Sequence, residues 1–100
     1  MTLTAWLERH TAAAPPALRG RVREHVQAVP SERPAPMVLA AAASRALDRV
    51  VTHPGDRSIA LDLLAADALI TLALLAQAED GPAELDEFAT SLLKVSRPGT

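Results

Sequence analysis

Apolar residues recur along most of the chain at intervals of three and four, the period of a helix that buries one face. Leu3, Trp6, Leu7 and His10 share a face. Leu18, Val22, Val26 and Val29 make a second stripe, and Leu39, Ala43, Ala46, Leu47, Val50 and Val51 a third. Leu85, Phe88, Leu92 and Val95 make another near the end. Prolines fall between these stripes: Pro15-Pro16, then three from Pro30 to Pro36, then Pro54 and Pro82. The pattern predicts helices over Leu3–Thr11, Pro16–Val29, Pro36–Thr52, Arg57–Asp80 and Ala83–Val95, with residues 96–100 as a flexible tail. Thr2 or Thr4 is the expected cap of the first helix, and Asp56 or Ser58 that of the fourth. His53-Pro54-Gly55-Asp56 is the clearest turn, and Gly81-Pro82 ends one helix and opens the next. The expected fold is all-α: one domain over 1–95, a compact bundle of four to five helices around a highly apolar helix at about 57–80.

That fourth helix departs from the pattern of the others. Sixteen of the twenty residues from Ile59 to Ala78 are apolar, and they reach nearly every side of a helical wheel. A helix apolar all round is buried all round, or crosses a membrane. Asp62 and Asp67 inside the run, and flanks without a basic cluster or aromatic belt, argue against a membrane span. Ala65, Ala66, Leu69, Ala73 and Ala76 share one face, slim enough for close approach by another helix. With Phe88 and Leu92 of the fifth helix, these residues are the expected interface with a second copy of the chain. Asp62 and Asp67 lie about 140° apart on the wheel, so they are not a paired-carboxylate acid/base site. Asp67 shares a face with Thr71; it is expected to pair with Arg45 or Arg49, to line a pocket, or to be partly exposed at an interface rim, while Asp62 is expected to be exposed.

Composition reinforces the helical reading. In 100 residues there are 21 alanines and 15 leucines, against seven valines, two isoleucines, one Trp, one Phe and no Tyr. The apolar share is 49% and the charged share 22%, which excludes a disordered chain. The absence of cysteine excludes disulfides, thiolate metal sites and a Cys nucleophile. Met1 to His10 has no basic stretch followed by an apolar run, so the expected location is cytoplasmic. Nine arginines to one lysine, with no asparagine, suggest a GC-rich bacterial source. The net charge of −2 hides an asymmetry. Residues 1–57 hold eight arginines against five acids, and residues 58–100 two bases against seven acids. Opposite halves attract as they pack, or orient a partner.

Candidate chemistry is sparse. The four glycines are isolated, so there is no phosphate-cradling loop. His10, His25 and His53 lie on three segments without a placed carboxylate; His10 and His25 meet only if the first two helices run antiparallel. No cofactor or metal is expected. Arg19 and Arg23 share a face but Arg21 lies opposite, and a proline-rich loop follows Val29, which disfavours a helix-turn-helix and nucleic-acid binding. Trp6 is expected to anchor the first helix to the core, and Ser44 to be a small packing residue. The phrase Leu64-Ala65-Ala66-Asp67-Ala68-Leu69-Ile70 is similar to a helix of the all-α polyprenyl synthases. Their two DDxxD motifs are absent, so the resemblance brings over neither activity nor site residues. The expected function is non-enzymatic: protein–protein contact, through self-association or a helical partner. The rivals are a module for a small apolar ligand or lipid chain, and a regulatory DNA-associated module.

Overall fold

The computed structural model describes residues 2–53, 55 and 57–95, the last by its backbone alone. The expected tail at 96–100 lies outside the described residues, as do Pro54 and Asp56. Five α-helices follow in order: α1 Leu3–His10, α2 Pro16–Gln27, α3 Ala35–Thr52, α4 Ser58–Asp80 and α5 Leu85–Val95, the last preceded by a single 3-10 turn, Pro82–Glu84. The fold is the expected all-α bundle with a central apolar helix, and its Cα radius of gyration is 13.0 Å.

Local chemistry explains most boundaries. Thr2 caps α1, its Oγ1 accepting from the Ala5 N–H at 3.1 Å. Prolines at the starts of α2 and α3 give up first-turn N–H groups that have no helical partner. Ser58 is not a cap but the first residue of α4; Arg57 holds the cap position in helical conformation, without a side-chain cap. At the other end Gly81 is extended, with φ −154°. The Gln77 amide Nε2 donates to the Gly81 carbonyl at 2.7 Å, and a Cβ added here would meet only side-chain ends, Glu84 Oε2 at 2.8 Å and Gln77 Nε2 at 3.1 Å. Gly55 has φ +90°, a left-handed conformation that suits glycine, in the turn between α3 and α4.

α3 and α4 form the centre of the bundle, with α2 packed across both. Their contact is lined by small residues. Ala42, Ala43 and Ala46 of α3 and Ala65, Ala66 and Ala73 of α4 are buried almost without residual exposure. These short side chains let the two helix axes approach closely. Leu39 and Leu69 fill the remaining space, each fully buried and each worth roughly 1.5–3 kcal/mol of transfer free energy. Leu7 of α1, Val22 of α2 and Leu92 of α5 close the core from outside.

This packing corrects the expected interface. Ala65, Ala66, Leu69, Ala73, Ala76 and Leu92 are buried within this one chain, and Phe88 is half-buried against the same core. They do share a face, but α3, α2 and α5 already cover it. Ser44 is exposed rather than packed inside. α4 is long and apolar enough, by length and composition, to cross a membrane, and its inward side is the core of the bundle.

Candidate functional site

Two features of α4 stand out, one on each face. The inward face runs through residues 62, 65, 66, 69, 72, 73 and 76, all buried. Its first member is a carboxylate. Asp62 is fully buried, and three cation-capable side chains converge on it. Arg21 Nη1 donates to Oδ1 at 2.8 Å and His25 Nε2 to the same oxygen at 2.9 Å, while Arg49 Nε donates to Oδ2 at 3.1 Å. A carboxylate only accepts, so His25 carries a proton on Nε2. Its Nδ1 is buried without a protein partner.

The electrostatics follow from this geometry. Burial alone would raise the Asp62 pKa, because a dry environment disfavours the charged form. The hydrogen bonds from Arg21, His25 and Arg49, with the Arg21 charge, outweigh burial and hold it at about 2. Asp62 is therefore an ionised anchor tying α4 to α2 and α3. The guanidinium of Arg21 also reaches Glu24 of its own helix, Nε to Oε2 at 3.1 Å.

The structure exchanges the main roles expected of the two aspartates. Asp67 is exposed and makes no ion pair among the described residues; Arg49 pairs with Asp62. A signal was present in the spacing. Asp62 stands three, four and seven residues before Ala65, Ala66 and Leu69, on the very face assigned as the Ala/Leu seam. His10 and His25 do not meet. His10 stacks on Trp6 with ring centroids 4.1 Å apart, near Glu79, whose Oε1 accepts from Trp6 Nε1 at 2.9 Å. Trp6 packs against the core, as expected, and also ties α1 to the C-terminal end of α4. Among the described residues no group of three His, Cys, Asp or Glu side chains is placed to hold a metal ion.

The outward face of α4 carries the second feature. Ala60, Leu63, Leu64, Asp67, Thr71 and Leu75 are exposed in one stripe, with Leu74 and Ala78 half-buried at its margin. Leu63 and Leu64 keep 53% and 56% of their surface in water, and Leu75 keeps 39%. The stripe is symmetric about the level of Leu69. Residues equidistant from that point match in kind: Ala60 with Ala78, Leu63 with Leu75, Leu64 with Leu74, and the polar pair Asp67 with Thr71. Helical geometry repeats the positions automatically; it does not dictate that their chemistry should match.

Comparison with family models, with curated proteins and with solved structures gives no match.

Proposed function

We propose that the chain is a non-enzymatic helical module that acts through protein–protein contact, and that its partner is a second copy of itself bound along the outward stripe of α4. The observation that carries this reading is the symmetry of that stripe. In an antiparallel pair with its two-fold axis at the level of Leu69, residues equidistant from the axis face one another across the contact. Leu63 then meets Leu75, Leu64 meets Leu74, and the terminal alanines let the helices run close at both ends. Asp67 meets Thr71 and not a second Asp67, so the like charges are offset and a hydroxyl lies beside each carboxylate.

The leucines supply the driving force. Those already half-covered contribute less than a full burial each, and association itself costs roughly 4–15 kcal/mol of lost freedom. The contact is therefore of moderate strength, and the balance between monomer and dimer depends on concentration. Sedimentation equilibrium of the intact chain tests it. The expected result is a reversible monomer–dimer equilibrium that Leu64→Glu abolishes without changing the helical circular dichroism. A monomer at every concentration reached, or a dimer indifferent to Leu64→Glu, overturns the reading.

A further inference from the structure

α5 packs against α4, and its contact with α3 is slight. A groove of about 270 Å³ lies between α3 and α5. Met37, Ala40, Ala41 and Ser44 line it from α3, at the i, i+3, i+4 and i+7 spacing of a single helical stripe. From α5 come Ser91, the buried Leu92 and the chain's only phenylalanine, Phe88, which is half-buried. Met37 keeps 47% of its surface in water, and the alanines beside it leave the space open. One charged group stands on the wall: Arg33, two residues before α3 begins. It makes no ion pair or hydrogen bond among the described residues, and no acid lines the groove.

We propose that this groove binds a small aromatic carboxylate, its ring between Met37 and Phe88 over Ala40 and Ala41, and its carboxylate on Arg33. The order of residues along the chain sets the class. Arg33 and Met37 stand at the start of α3, Ala40 and Ala41 one turn on, and Ser44 a turn beyond. The apolar stretch from Met37 to Ala41 is therefore about 6 Å long. A ring fits that length, whereas an extended fatty chain runs past it onto the Ser44 hydroxyl. A thioether and an aromatic side chain both favour an aromatic neighbour. One free guanidinium matches one planar carboxylate through two parallel N–H bonds. Glu84 and Glu87 line a neighbouring hollow that shares Phe88 and Ser91, and they repel an anion from that side. The volume lies just under the roughly 300–1,000 Å³ of sites for drug-sized ligands, which again selects a compact molecule. No lining residue belongs to α4, so binding here is independent of self-association.

The test is a titration of the full-length chain with phenylacetate at constant ionic strength, followed by amide and methyl NMR shifts. Shifts centred on residues 33–44 and 88–92 are expected, saturating at about millimolar concentration for so small a ligand. Phenylacetamide, the neutral analogue, should bind about tenfold more weakly, as expected for a lost charged hydrogen bond. Arg33→Gln breaks no bond in the fold; it should weaken phenylacetate by a similar factor and leave phenylacetamide unchanged. Ala41→Leu, at a half-buried position, should fill the groove and remove binding of both. Octanoate, equal to phenylacetate in heavy atoms and charge, should bind more weakly. Shifts that never saturate, phenylacetamide binding as well as phenylacetate, an unchanged affinity in Arg33→Gln, or tighter binding of octanoate overturns the proposal.

Discussion

His25 Nε2 lies 2.9 Å from Asp62 Oδ1, and both side chains are withdrawn from water. The pair joins α2 to α4 across 37 residues of sequence, and Arg49 extends the link to α3. Most of the remaining core is Ala, Leu and Val, which pack well but specify little about how far one helix slides along its neighbour. One carboxylate that must meet three donors at once fixes the register of three helices.

Asp62→Asn should therefore be among the most damaging single substitutions. It leaves the inner ends of Arg21, His25 and Arg49 facing a neutral amide. The expected loss is about 3–5 kcal/mol, the range for breaking a buried ion pair from one side. Urea unfolding followed by circular dichroism measures it; a loss no larger than that of an exposed substitution would show that the cluster contributes little to folding.

Acid should weaken the same link. The Asp62 pKa is depressed from 3.8 to about 2 in the folded chain, so its contribution is fully present above pH 4. It disappears as pH falls from there through 2, because the unfolded chain takes up the proton first. The contribution is roughly 2 kcal/mol on the standard conversion of pKa shifts. Stability measured between pH 5 and 2 should fall in the wild type and lose that part of its slope in Asp62→Asn.

The two faces of α4 should respond in opposite ways to a charge. Ala73→Glu places a carboxylate in a position with no exposure, against α3, and should abolish folding rather than association. Leu64→Glu on the outward stripe should leave the fold intact and remove the proposed self-association. Equal effects on folding at the two positions would contradict the division into faces.

Gly55→Ala should cost about 1–2 kcal/mol. Nothing lies within 4 Å of a Cβ built there, so the penalty comes from φ +90° alone. Thermal unfolding of the variant checks this, and Gly20→Ala serves as the contrast. Gly20 lies inside α2 with open space around it, so alanine there should stabilise slightly.

Glu79→Ala should loosen α1. It removes the acceptor of Trp6 Nε1 and the carboxylate near His10, contacts that tie α1 to the end of α4. Hydrogen exchange should quicken over residues 3–10 while α3 and α4 stay protected, with a global loss near 1 kcal/mol. Unchanged exchange in α1 would place its anchor in the apolar packing of Leu3, Trp6 and Leu7.

Local rules written into the sequence determined the elements. Period-3.6 stripes, prolines between them, the Thr2 cap and the Gly55 turn are interactions between near neighbours, so α1 to α5 were legible within a few residues of their ends. The departures were local too: a 3-10 turn at Pro82–Glu84 and an α2 that ends at Gln27. The grouping of Ala65, Ala66, Leu69, Ala73 and Ala76 on one face was equally legible, because helical geometry alone sets it.

What covers that face was not. A helix apolar on every side gives no clue from its own residues as to which side a neighbour will take. The alanines of α3 decided it, since Ala42, Ala43 and Ala46 offer the close approach that the alanines of α4 can match. That choice turned Asp62 inward and Asp67 outward. The charge in the core was tolerated because Arg21, His25 and Arg49, remote in sequence, arrived together at its two oxygens. Only the tertiary structure brings those partners within hydrogen-bond reach, so only it could decide which aspartate is the anchor and which leucines remain exposed.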